Sequence, residues 1–232
     1  MYTIMYDFDG TLVDSYSCLP SIYMRLAYEF GVNDKELFVE SMLMFEDLMD
    51  YYGIWDRRIW WIFLLKNSAI LKDVDGGKLI DKYWHLRIEY TRPMDNVLDV
   101  LNRLRNMDFD LYIVTGSDDT VERKIDRIRS SGLDKYFKDI IVYGPYSDFK
   151  DIRNAIEYII YNTSSRKYFY IDDKVINLNK LVDINVVLIR YYFRPPYPRA
   201  FAWTSRSIKE YIVIYSHTEL VRFLEKHLSI VD

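Results

Sequence analysis

Apolar and polar positions along this chain fall into two textures. Tyr2 to Phe8 is a short β-favouring run that stops at Asp7-Phe8-Asp9-Gly10-Thr11, the pattern of a strand entering a glycine turn. From Tyr16 to Arg92 the chain is dense in Tyr, Trp, Met and Leu and shows no strand period. Its spacing predicts four helices, near 16–30, 34–51, 54–67 and 77–90, broken at Gly31, Gly53 and Gly76-Gly77, with Asn33 or Asp34 as an N-cap. After Arg92-Pro93 helices and strands alternate. A helix over 94–106 places Val97, Leu98, Leu101 and Leu104 on one face. Then come a strand at Leu111–Thr115, a helix at Thr120–Ser131 closed by Gly132, and a strand at Ile140–Tyr143. In 151–161, Ile152, Ala155, Ile156, Ile159 and Ile160 follow the spacing of an amphipathic helix. Strands at Tyr168–Ile171, Val186–Ile189 and Tyr211–Tyr215 follow, with a short helix over 175–182 and a last helix capped by Thr218 and running to Leu228.

Strands alternating with helices predict a parallel sheet covered on both faces, an α/β, Rossmann-like three-layer αβα core. The helical block interrupts that alternation after the first strand. The expected organisation is therefore a core of residues 1–15 and 93–232 with an inserted all-α domain, 16–92, over the carboxyl end of the sheet.

Composition narrows the class. At 232 residues, 50% hydrophobic and 28% charged, the chain has the make-up of a large globular domain or of a core with an insertion, and it is not disordered. A net charge of -4 leaves no broad basic surface for nucleic acid or anionic lipid. A single cysteine, Cys18, excludes an internal disulfide framework and fits a reducing compartment. The longest strongly apolar run, Ile59 to Leu65, is too short to span a bilayer, and Met1-Tyr2-Thr3 begins no signal-peptide pattern. These features predict a soluble cytoplasmic protein, monomer or homodimer, with neither nucleic acid nor membrane as a partner.

Four short features coincide with predicted strand ends. Asp7 and Asp9, two residues apart on extended backbone, point the same way and could hold a divalent cation and attack an electrophile. Chance gives Asp-x-Asp-Gly-Thr at on the order of one position in 10⁵. Thr115-Gly116-Ser117 follows a strand, where a hydroxyl and free backbone N–H groups can hold phosphate oxygens. Ser117 or Asp118 reads equally as a plain helix N-cap. Lys150 precedes the helix over 151–161, where it would neutralise a bound anion or simply be a solvated lysine. Asp172 and Asp173 end an apolar strand, and adjacent carboxylates there repel each other unless a cation sits between them; otherwise one caps a helix and the other is solvated.

In their order and positions these pieces resemble the four motifs of the haloacid dehalogenase (HAD) superfamily, with an α-helical cap inserted after the first. The resemblance implies a metal-dependent phosphoric monoester hydrolase. Asp7 would be the nucleophile that forms an aspartyl-phosphate, and Asp9 the acid that protonates the leaving oxygen and then the base that activates water. Thr115, with Gly116 and Ser117, would hold the phosphoryl oxygens, and Lys150 would neutralise them. Asp172 would ligate Mg²⁺ with Asp7 and the main-chain carbonyl of Asp9, with Asp173 assisting. Asp9 sets phosphoryl transfer ahead of carbon–halogen cleavage, which needs neither the metal nor an acid for the leaving group.

Two departures from that pattern matter. Lys150 is followed by Asp151 where many members have Pro, so Lys138 and Lys174 are rivals for the cationic role. Asn177, in Asp172-Asp173-Lys174-Val175-Ile176-Asn177, orients Asp173 or a metal-bound water, or caps a helix. Within the helical block, Arg57, Arg58, Trp60, Trp61 and Lys66 either select the substrate or pack the bundle. Arg194-Pro195-Pro196-Tyr197-Pro198 either borders the site or only connects, and His85, His217 and His227 have no metal spacing. The expected substrate is a small phosphorylated metabolite. A sugar phosphomutase, or a catalytically weakened binding protein that keeps the fold, are the alternatives.

Overall fold

The computed structural model describes residues 2–67, 74–197 and 203–228. Six strands form one parallel sheet: β1 (Tyr2–Tyr6), β4 (Phe109–Gly116), β5 (Asp139–Tyr143), β6 (Tyr168–Asp172), β7 (Val187–Tyr191) and β8 (Ile212–Ile214), in the order β5-β4-β1-β6-β7-β8. β1 is central. Its register pairs Tyr6 with Ile113 on one side and with Ile171 on the other. The chain thus turns outward in both directions from β1, and this reversal opens the crevice at the carboxyl ends where such sheets take ligands.

Side-chain alternation explains why both faces are covered. Ile4, Tyr6, Leu111, Ile113, Phe169 and Ile171 face α5 (Val97–Asn106), α6 (Val121–Ser130) and α9 (His217–Leu228). Met5, Val114, Tyr168 and Tyr170 face α7 (Ile152–Asn162) and α8 (Val175–Asn179). On α5 the buried stripe is Val97, Val100, Leu101 and Leu104, whereas Leu98 is exposed; the helix begins at Val97 after Asn96 in the left-handed region. Thr120 caps α6 by accepting from the Arg123 N–H, so neither Ser117 nor Asp118 is the cap. Ser216, not Thr218, accepts from Glu219 N at the start of α9.

Four helices, α1 (Leu19–Glu29), α2 (Lys35–Tyr52), α3 (Arg57–Asn67) and α4 (Gly76–Tyr90), share a separate core that includes Leu19, Ile22, Tyr23, Phe38, Met42, Trp61 and Trp84. Asp34 caps α2, accepting from Leu37 N. The bundle is inserted between two short strands absent from the sequence reading, β2 (Val13–Asp14) and β3 (Arg92–Pro93), which pair antiparallel. Among the described residues no helix is long and apolar enough to cross a membrane.

Candidate active site

The end of β1 delivers Asp7, and the end of β6 delivers Asp172 and Asp173, to one point. All three are buried, and one carboxylate oxygen from each lies within 4.8 Å of the other two. Glycine at residue 10 leaves room for this arrangement. Gly10 has φ +81°, and a Cβ there would lie 2.8 Å from Asp173 Cγ. Asp172 is fully hydrogen-bonded: Oδ1 accepts from Lys174 N (2.7 Å), and Oδ2 from Tyr170 (2.6 Å) and Asn177 (3.0 Å). Asn177 therefore orients Asp172 rather than Asp173. Asp173 Oδ2 accepts from the Trp203 indole (2.6 Å), whereas its Oδ1 is buried with no partner among the described residues. Burial and mutual repulsion raise the proton affinity of Asp7 well above the usual carboxylate range, and burial is the main cause that pushes Asp173 up to about 8.

Asp9 has the opposite environment. Although burial opposes ionisation, Arg127, Lys124 and Arg87 hold its carboxyl well below the usual range. Lys124 Nζ is 2.5 Å from Asp9 Oδ2 and 3.0 Å from Asp118 Oδ1; Arg127 bonds both carboxylates, and Arg87 Nη2 lies 3.6 Å from Asp9 Oδ1. The Asp9 side chain is thus turned to cations rather than to the acidic trio.

Between these groups lies a cavity of about 40 Å³, lined by Asp7, Asp9, Thr115, Lys174 and, from the helical insert and its entry, Tyr16, Asp50, Trp55, Arg57 and Arg87. Lys174 is half-buried, with its Nζ 2.7 Å from the Tyr16 hydroxyl and 3.4 Å from Asp50 Oδ2. Gly116 and Gly144 leave room for the Trp55 ring, since a Cβ on either would approach it to 3.0–3.1 Å.

The family model described as haloacid dehalogenase-like hydrolase matches residues 4–180. The chain belongs to the haloacid dehalogenase-like hydrolases. It is 26% identical over 172 residues to the candidate HAD-hydrolase YfnB of Bacillus subtilis, covering 68% of each chain. A magnesium-bound YfnB crystal structure, described as revealing interdomain movement, aligns with TM-score 0.66 at 23% identity over 96% of this chain and 98% of that one. A candidate β-phosphoglucomutase from Thermotoga maritima aligns with TM-score 0.68 at 15% identity, covering 98% and 100%. An L-2-haloacid dehalogenase from Xanthobacter autotrophicus, with chloropropionic acid covalently bound, aligns with TM-score 0.68 at 13%, covering 97% and 98%. Likeness at these structural identities is likeness of fold.

In this HAD-like hydrolase the structure gathers Asp7, Asp172 and Asp173 as the motifs predict, with Thr115, Gly116 and Ser117 along the cavity wall. The Ser117 N–H is not free, because it donates to Tyr143 O (2.8 Å). Lys150 is exposed and does not line the cavity; it precedes Asp151, which caps α7. Lys138 pairs with Asp110, leaving Lys174 as the one of the three lysines at the site. Of the insert residues, Arg57 lines the cavity and pairs with Glu46 (3.0 Å), while Arg58 bonds Asp56 and Trp61 is buried in the bundle. The Lys66 side chain and Pro198 lie outside the described residues.

Sequence reasoning missed Trp55, Arg87, Lys124, Arg127 and Trp203. One signal was present: Lys124 and Arg127, at i and i+3, share the buried face of α6 with Ile128, where a solvated cation would not sit.

Proposed function

We propose that this hydrolase removes phosphate from a small phosphorylated metabolite with the help of Mg²⁺. The acidic trio carries the reading. Three buried carboxylates with converging oxygens, one of them unpartnered at Asp173 Oδ1, form a hard-oxygen donor set for a divalent cation. Asp7, Asp172 and Asp173 would hold the ion, which when bound offsets the negative charge that otherwise keeps a phosphate dianion from a carboxylate. The magnesium in the YfnB structure supports the choice of metal.

Asp7 attacks phosphorus through a carboxylate oxygen, the bond to the leaving oxygen breaks, and that oxygen takes a proton. Water then attacks the acyl phosphate, losing a proton to a base and releasing inorganic phosphate and free Asp7. Asp9 is placed two residues on for both proton transfers. A carboxylate clamped by three cations holds no proton at neutral pH, so the acid step requires Asp9 to swing off Lys124 and Arg127 toward Asp7. Lys174, not Lys150, supplies the cationic side chain beside the transferring group. The small cavity under Trp55, Arg57 and Arg87 favours a compact substrate over a phosphoprotein.

The test is p-nitrophenyl phosphate hydrolysis with phosphate release as the readout. Turnover should require Mg²⁺, stop with EDTA and vanish in Asp7→Asn. Equal rates for wild type and Asp7→Asn would refute the reading. Isomerised sugar phosphate without free phosphate would select a phosphomutase instead.

A further inference from the structure

Taking Asp7, Asp172 and Asp173 as the ion's ligands, as proposed above, we infer that Trp203 is a positioning residue for the divalent cation. Its indole N–H fixes the Asp173 carboxylate so that one oxygen is left for the ion. Trp203 lies beyond residues 4–180, the stretch that the family model matches.

Asp172 and Asp173 are neighbours held in different ways. Three donors fix Asp172, all of them close by in the chain: the Tyr170 hydroxyl, Lys174 N and the Asn177 amide. For Asp173 the one side-chain donor among the described residues is the Trp203 indole, 2.6 Å from Oδ2 and 30 residues away. Oδ1 stays buried with no partner among the described residues. A carboxylate with one oxygen tied and the other unpaired is both oriented and available to a hard cation.

The donor is itself immobilised. Trp203 is 9% exposed, and its ring meets Tyr16 edge-on with centroids 4.8 Å apart. It joins the apolar core that the helical insert builds from Leu19, Ile22 and Trp84. Lys174 Nζ lies over the same ring, 4.9 Å from its centroid. A ring packed in this way has little rotational freedom, so its N–H is aimed before the cation arrives. One end of Trp203 is fixed by the insert, and the other holds a ligand at the end of β6. Cation affinity therefore depends on how the insert is seated on the core.

The test is Mg²⁺ binding to the full chain without substrate, by calorimetry and thermal shift at constant ionic strength. Trp203→Phe keeps a ring in the insert and removes the N–H; it should bind Mg²⁺ about tenfold or more weakly than wild type. Benzothienylalanine at position 203 keeps the bicyclic shape with sulfur in place of the N–H, and it should show the same loss even if Trp203→Phe folds poorly. In an Asp173→Ala background, Trp203→Phe should cause no further loss, because the ligand it positions has gone. Wild-type Mg²⁺ affinity with benzothienylalanine overturns the proposal, since shape alone then suffices. So does an undiminished loss in the Asp173→Ala background, which would place the effect of Trp203 elsewhere. A wild type that binds no Mg²⁺ overturns the metal reading itself, and the role of Trp203 with it.

Discussion

Replacing Gly10 by alanine tests whether the turn after β1 sets the position of Asp173. Two costs are involved. The backbone at φ +81° is left-handed, which costs an L-residue about 1–2 kcal/mol. The new methyl would also lie 2.8 Å from Asp173 Cγ, well inside van der Waals contact. That carboxylate is buried and held by Trp203, so relief requires it to shift by about an ångström, an overpacking cost of about 1–3 kcal/mol. Gly132→Ala is the control: φ is +70°, and nothing lies within 4 Å of its would-be Cβ. Both variants carry the backbone strain, and only Gly10→Ala carries the overpacking. In EDTA, Gly10→Ala should therefore melt several degrees below Gly132→Ala, the gap expected of about 1–3 kcal/mol in a chain of this size. On Mg²⁺ titration followed by thermal shift, the Gly10→Ala midpoint should rise at least tenfold and that of Gly132→Ala should not move. If the two variants melt together and respond alike to Mg²⁺, the turn does not position Asp173.

Lys174→Met should lower kcat/KM for p-nitrophenyl phosphate by about 10² or more, the scale of losing one electrostatic contact to the transition state, while Lys150→Met stays within twofold of wild type. Arg127→Met leaves Asp9 and Asp118 under-compensated in a buried site; urea unfolding should show a loss of about 3–5 kcal/mol, partly recovered by adding Asp118→Asn. His217 is buried between Tyr6 and Tyr191, with Nε2 2.9 Å from Thr11 O, and burial holds its pKa down at about 4. The unfolded chain takes up a proton below pH 6.5 and the folded one only near 4. This group's contribution is therefore whole above 6.5 and falls by about 3 kcal/mol on acidification from pH 7 to pH 4. His217→Gln should flatten the unfolding free energy against pH by that amount; an unchanged slope counts against the assignment.

What the sequence discloses and what it conceals divide along physical lines. Parallel strands buried on both faces are continuous apolar runs, so β1, β4 and β6 are visible, and the acids ending β1 and β6 mark the carboxyl edge. A two-residue pair such as β2 with β3 has no periodicity to detect and exists only because distant chain returns beside Val13. Lys150 and Lys174 illustrate the same limit. Both follow acids or loops near strand ends, and only tertiary placement turns one into solvent and the other toward Asp7. Trp61 and Trp55 show it within the insert: both lie in one aromatic stretch, but helical phase buries Trp61 among Leu and Tyr, whereas Trp55 precedes α3 and reaches the core. Trp203 is separated by 30 residues from the carboxylate it holds, a distance no local pattern spans.

The antiparallel pairing of Asp14 with Arg92 has an architectural consequence. The polypeptide leaves the sheet and comes back at neighbouring points, so a short linker bridging that gap could replace the four-helix bundle without stretching any strand. The bundle is in this sense a cassette, joined to the sheet at one point of the backbone. Side chains tie it down more firmly: Arg87 reaches Asp9, Asp50 meets Lys174, and Trp203, from far along the chain, lodges its ring among the bundle's apolar side chains while its nitrogen serves Asp173, so any replacement must supply those contacts anew.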